Sequence, residues 1–304
     1  HLIVVPEFAF GAMENWGAIT FRETALLADE KSSIRQKRNV ALVIAHEISH
    51  QWFGNLVTMK WWDELWLNES FATYMAFKAI DVLFKEWNSM KDFLLTEYSN
   101  SMLRDSLTNT HPIEAKVKKP EEIEQRFDEI SYGKGACILR MIEGFLGEEK
   151  FREGINFYLN KYKYSNASGE NLWECLEKVS NLPIKRIMKE WIVKEGYPIV
   201  YVSITGNKIN LRQERFMLNG YKKDVWPIPL TLEVNGKKLN IIFDKEEDTI
   251  EFPEEIFKLK LNLNRTGFYR VFYTEPELFL NSNPSNEDIF GFLNDLYAFL
   301  LTNK

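Results

Sequence analysis

The 304-residue sequence predicts an α+β chain of several domains, mainly helical first and mainly strand later. Three observations carry that expectation. Apolar residues recur at helical spacing around a HEISH segment at 46 to 50. At GYPIV (196 to 200) the period changes to short alternating runs separated by NG and GN turn signals. Beyond SNPSNED helical spacing returns. The expected division is a helical part over 1–195, a small β-sandwich over 196–274 and the beginning of a further helical domain over 275–304.

In chain order, LIVV (2 to 5) and WGAITF (16 to 21) read as two short strands, with a turn-like GAMEN edge segment at 11 to 15 between them. From Ser32 to about Phe53 the spacing of Val40, Val43, Ile44 and Ile48 predicts a helix, ended by Gly54 and Asn55. HEISH then lies in its last two turns. WWDELWLNESFATYMAFKAIDVLF predicts a second helix with Asp63 as N-cap, on which Leu65, Glu69, Ala72, Thr73 and Ala76 share one face. Small residues on that face permit a close helix neighbour. Further helices are expected at 133 to 146, 148 to 163, 170 to 180 and 184 to 194, interrupted by the loop around THPIEAKVKKPEE. VYVSIT, KINLRQERF, IPLTLEVNG, KLNIIFD and FYRVFY supply the strands, and Ser285 with Asp288 is spaced as a capping box before the last helix.

Bulk properties narrow the function classes. A net charge of −6 lacks the concentrated basic face of a nucleic-acid binder, and no apolar run reaches membrane-spanning length. Only Cys137 and Cys175 occur, in no CxxC spacing, so they read as reduced core residues and favour a cytoplasmic setting. The sequons at Asn68, Asn166 and Asn264 carry little weight, since such triplets arise by chance.

The chemistry concentrates in HEISH. The chain has four histidines, and two of them, His46 and His50, stand one helical turn apart on a common face. Burying two imidazoles and a carboxylate between the apolar flanks VALVIA and QWFG is costly unless a cation joins them. Zinc takes nitrogen and oxygen donors tetrahedrally, and a catalytic site keeps one position for water. Glu69, with eighteen residues between it and His50, sits on the next helix and supplies the third donor. Glu47 points toward the bound water without coordinating, as suits a general base.

HEISH with Glu69 at that spacing, preceded by GAMEN and followed by WFGNLVTMKWWDELWLNESFATY and FDEISYGKGACILRM, resembles the M1 family of zinc metallopeptidases. These are gluzincin aminopeptidases with a thermolysin-like catalytic domain, and the resemblance covers nearly the whole chain. It implies one Zn2+ held by His46, His50 and Glu69, and peptide substrates with a free N-terminus. Glu14 would bind the substrate's α-amino group, and Gly11, Ala12, Met13, Glu14 and Asn15 together would pair with an extended peptide as an added strand. Tyr132 in ISYGKG would donate a hydrogen bond to the tetrahedral oxyanion. Read from residues alone, Glu14 is a solvated turn residue and Tyr132 a packing residue. His111 in THPI recurs in the family's pattern but has no partner in the motif set, and reads as structural. Glu7 and Asn68 lie near the expected site as a loop carboxylate and a helix-start amide. Of the nine tryptophans, several surround the zinc helices and read as core.

Members of the family usually carry a β-rich domain before the catalytic one and a large helical domain after the sandwich. Two readings follow from the resemblance: a piece of a longer protein, incomplete at the start of its catalytic domain, which is favoured, or a naturally short or split protein. Alternative readings are a catalytically impaired piece, a metal-free binding scaffold of the same fold, and a thermolysin-like endopeptidase. Intact GAMEN opposes the last of these, and the complete ligand set opposes the scaffold. An epoxide hydrolase side activity, known in the family, also stays open. Oligomeric state and the preferred first residue are not legible.

Overall fold

The computed structural model describes residues 1–302. Strand β1 (Leu2–Val5) runs parallel to β3 (Ile19–Arg22), and β2 (Ala12–Met13) pairs antiparallel with β3. The sheet order β1-β3-β2 leaves β2 on an edge. GAMEN, expected to be a turn-like edge segment, contributes a two-residue edge strand. The strand expected from position 16 starts at Ile19, because Ala18 N–H closes a turn on the Asn15 carbonyl at 3.1 Å.

Helix α1 (Ile34–Ser49) is capped by the Ser33 hydroxyl, which accepts from Gln36 N–H. It stops at His50 and not near Phe53. Gly54 follows at φ +136, a conformation that β-carbon-bearing residues rarely adopt, and an added Cβ there would come within 3.2 Å of His50 Nδ1. The chain can thus fold back under His50 into β4 (Val57–Met59).

Helix α2 (Trp66–Leu83) is entered through a tight turn at Trp62–Glu64, so its N-cap is Leu65. Asp63 does not cap it, contrary to expectation. The extra turn places Asp63 ahead of the helix start, and its carboxylate instead accepts the Val117 backbone N–H from the long loop. Helices α1 and α2 pack face to face, with Ala72 and Ala76 buried on α2. Most of α2 is buried around its whole circumference, which fixes it as the central element.

Helices α3 (Gly135–Leu146), α4 (Glu148–Tyr162), α5 (Gly169–Ser180) and α6 (Ile184–Val193) follow close to the expected ranges. Strand β5 (Ser165–Ala167) pairs parallel with β4. The segment Ile130–Lys134 just before α3 is not ordinary helix but a widened π-type turn, and it carries Tyr132.

From position 198 the chain is strand: β6 (Pro198–Thr205), β7 (Lys208–Arg215), β8 (Ile228–Val234), β9 (Lys237–Phe243), β10 (Glu247–Glu251), β11 (Leu259–Leu261) and β12 (Arg270–Tyr273). They form a four-stranded sheet in the order β10-β7-β6-β12 and a three-stranded one in the order β11-β8-β9. The buried amide of Gln213 ties the two together, donating to the Trp226 and Lys245 carbonyls at 2.9 Å. One apolar cluster runs from Phe53 and Phe71 through Trp191 and Trp226 to Phe299. Helix α7 (Asn286–Thr302) begins with the expected capping box: Ser285 and Asp288 exchange backbone-to-side-chain bonds of 3.0 and 3.2 Å. Its Asp295 is buried against Arg265 and Arg270.

Trp66, Trp173, Trp191 and Trp226 are core, whereas Trp16, Trp52 and Trp61 are about half exposed or more and depart from the expectation. Both cysteines are buried and unpaired. Among the described residues no helix is long and apolar enough to cross a membrane.

Candidate active site

The end of α1 and the first turn of α2 bring three of the predicted residues to one point. His46 Nε2 and His50 Nε2 are 3.0 Å apart, and each is 3.3 Å from Glu69 Oε2. Donors at about 2.0–2.2 Å from a tetrahedral ion stand roughly 3.3–3.5 Å from one another, so the spacing is close to that of a ligand set. Tautomer chemistry agrees. His50 Nδ1 lies 2.9 Å from the Phe53 carbonyl, which can only accept, so Nδ1 carries a proton and Nε2 is the ring nitrogen left to face inward as a ligand. Two ring nitrogens and a carboxylate oxygen converging in a buried place fit a divalent cation better than one another.

The electrostatics without an ion express the same crowding. Burial works against ionised Glu69, but the two imidazoles outweigh it and pull its pKa down to about 2. His50 responds in kind: burial lowers it, Glu69 raises it more, and the result is about 9. Burial dominates at His46 and lowers it. A cation in this position would take over the role that the proton plays between them.

Glu47, on the same helical turn, does not join this cluster. Its side chain faces the same cleft, burial lifts its pKa to about 8, and Oε2 is buried without a hydrogen-bond partner. Tyr132 stacks on the His46 ring at 6.0 Å with 16° between planes, and burial with the Glu69 charge raises its pKa. Its hydroxyl therefore stays protonated and able to donate.

These groups open on a cleft of about 780 Å³. Gly11, Ala12, Met13 and Glu14 line it on one side, while Asn15 is exposed beyond it. Two residues that carried no expectation at the site hold that strand in place: Asn55, expected only as a helix terminator, and Gln51 donate side-chain amide N–H groups to the Glu14 carbonyl at 2.8 and 3.3 Å. Their only sequence signal is position, directly after HEISH. Trp62, Phe127 and Glu97 also line the cleft and carried no expectation. Asn68 lines it too, with Oδ1 buried and unpartnered, whereas Glu7 is exposed and outside it. His111, expected to lack a partner, has one in Asp128 at 2.7 Å.

An HExxH helix meeting a glutamate on the following helix, beside an edge strand with another glutamate directly after it, defines a protein of the gluzincin type. Comparison with known proteins carries this further: the model of the peptidase family M1 domain matches residues 1–191, and the chain belongs to that family. It is 61% identical over its full length to a probable aminopeptidase 2 of Sulfurisphaera tokodaii and 58% identical to a leucyl aminopeptidase of Saccharolobus solfataricus. It is also 53% identical to the tricorn protease-interacting factor F2 of Thermoplasma acidophilum. In each case the whole chain is covered but only 39% of the relative, so the chain spans about two fifths of the length of these curated relatives.

Proposed function

We propose that the chain is the catalytic part of a zinc-dependent aminopeptidase that removes N-terminal residues from peptides. The observation that carries this reading is the convergence of His46, His50 and Glu69 at 3.0 to 3.3 Å beside the unpartnered carboxylate oxygen of Glu47. Those three residues would hold the zinc ion, which when bound lowers the pKa of a water and polarises a carbonyl. Everything else falls to this chain's own side chains. Glu47 takes the proton of the attacking water and passes it to the leaving amine; its burial keeps its pKa near the working range of such a shuttle. Tyr132 donates its hydroxyl to the oxygen of the tetrahedral intermediate. Glu14 receives the substrate's ammonium group and so limits cleavage to the first peptide bond. The free edge of β2 pairs with the substrate backbone.

The domain assignment belongs to the same proposal: a thermolysin-like catalytic domain over 1–195, a small β-sandwich over 196–274 and the start of a helical domain over 275–304. The names of the relatives support aminopeptidase over endopeptidase activity. The buried unpaired cysteines support a cytoplasmic setting. The deciding experiment measures hydrolysis by the zinc-loaded chain of a free-amino aminoacyl substrate and of its N-acetylated analogue. The free-amino compound is expected to be cleaved at least tenfold faster, roughly the loss of one charge-assisted hydrogen bond. Equal rates on the two would rule out the exopeptidase reading.

A further inference from the structure

Tyr132 stands in a widened turn that leads into α3, and the first N–H groups of that turn depend on a residue just before it. Three successive backbone N–H groups of that turn end on one residue. Asp128 Oδ1 accepts from Ile130 and Ser131, both at 3.1 Å, and the Asp128 carbonyl accepts from Tyr132 itself at 3.0 Å. The other carboxylate oxygen, Oδ2, is 2.7 Å from His111 Nε2, and His111 Nδ1 is 2.8 Å from the Pro112 carbonyl. Carboxylate and carbonyl only accept, so both ring nitrogens donate and His111 is an imidazolium. Neither His111 nor Asp128 lines the cleft.

We propose that His111 and Asp128 form a positioning pair for Tyr132. The imidazolium fixes the carboxylate, the carboxylate fixes the turn, and the turn aims the phenol at the point where His46, His50 and Glu69 converge. The proposal rests on the functional reading above for the purpose of the phenol, but its geometry does not. A hydroxyl misplaced by about 1 Å can cost about 10²-fold in rate. Two contacts independent of the pair also anchor the turn: Ser70 Oγ donates to the Ser131 carbonyl at 2.6 Å and Ser101 Oγ to the Glu129 carbonyl at 3.0 Å. Removing the pair should therefore tilt the turn without unfolding it.

The test is a double-mutant cycle on the zinc-loaded chain, joined to a spectroscopic reading that needs no turnover. Asp128→Asn should lower kcat about 10- to 100-fold with KM changed less than about threefold, the pattern of an interaction made in the transition state. In a Tyr132→Phe background the same substitution should cost less than about twofold, because its effect passes through the phenol. Costs that add fully across the two backgrounds would overturn the proposal. In chain labelled with 13C at the tyrosine ring, the Tyr132 resonance, identified by its loss in Tyr132→Phe, should shift or broaden in both Asp128→Asn and His111→Gln. A resonance unmoved in both variants would overturn the proposal even in a chain without turnover. Failure of the unmodified chain to cleave either substrate would count against the functional reading alone. Should Asp128→Asn not fold, Asp128→Glu keeps the charge and lengthens the arm, and its Tyr132 resonance then decides in the same way.

Discussion

Glu47 and Glu69 are both buried carboxylates lining the same cleft, yet their surroundings drive their pKa values apart, one up to about 8 and the other down to about 2. The difference is one of partners: Glu69 meets both imidazoles, whereas one oxygen of Glu47 meets nothing. Glu47→Gln is therefore expected to lower turnover by about 10²–10⁴-fold while leaving one zinc per chain, measured by steady-state assay and elemental analysis of the same sample. Glu69→Ala should instead lose zinc on dialysis. The opposite pattern would mean that the two roles are exchanged. At this scale the sequence was legible where chemistry follows from helical spacing: His46, His50 and Glu47 need only the period of α1. Glu69 needed in addition that α2 turn its small-residue face toward α1. Asn55 and Gln51 were not legible, because what they bind is the Glu14 carbonyl, and no side-chain pattern announces a backbone partner supplied by a distant strand.

Elements position these residues through close approaches. Gly135 starts α3 against α2, and a Cβ there would fall 1.9 Å from Ser70 Oγ. Gly135→Ala should cost about 1–3 kcal/mol by overpacking, read as a lowered denaturation midpoint, and Ser70→Gly should restore part of it. A midpoint unchanged by Gly135→Ala would show that the contact is looser than described. The loop before the Tyr132 turn gives a pH signature. The hydrogen bond to Asp128 raises His111 above its ordinary 6.5, outweighing burial. Burial is the largest influence on Asp128 and opposes its ionisation, but the His111 bond and charge together with the Ser131 and Ile130 N–H bonds outweigh it and hold the carboxyl below its ordinary 3.8. A raised histidine stabilises the fold below its unfolded value and loses that contribution as pH climbs through the folded value; a lowered aspartate does so above its unfolded value and loses it in acid. The gap in melting temperature between the parent chain and His111→Gln should thus be widest near about pH 5–6 and shrink toward both pH 3 and pH 9. A gap that does not vary with pH would argue against a charged pair. The helices that were expected were readable to within a few residues from apolar spacing, and the Ser285–Asp288 cap from its local pattern, whereas the helical stretch from Ser89 to Asp105 carried no expectation. The entry into α2 was not, since Asp63 is claimed by Val117, fifty-four positions away, and long-range partners override local capping preference. The widened turn at Ile130–Lys134 is likewise invisible to periodicity: its bonds go to the local Asp128 side chain and to the distant Ser70 and Ser101 hydroxyls.

At the level of the whole molecule, the helical part and the two sheets share one apolar cluster, and buried ion pairs lock their junction. Lys134 pairs with Asp105 at 2.9 Å with both side chains fully buried, and the same ammonium donates to the Gly196 carbonyl where the strands begin. The site therefore rests on the later part of the chain as well as on α1 and α2. Change of period at GYPIV made that transition visible in sequence, but not the lysine that fastens it. Zinc binding should stabilise the whole chain, because an ion that binds only the folded state adds about 4 kcal/mol at a thousandfold excess over its dissociation constant. A melting temperature that rises on zinc addition, falls with a chelator and responds to neither in Glu69→Ala is the expected result. The most direct test of the central claim is anomalous diffraction at the zinc edge from crystals of the zinc-loaded chain. A single peak within about 2.0–2.2 Å of His46 Nε2, His50 Nε2 and a Glu69 oxygen is predicted. A peak elsewhere, or none in zinc-loaded crystals, would contradict it.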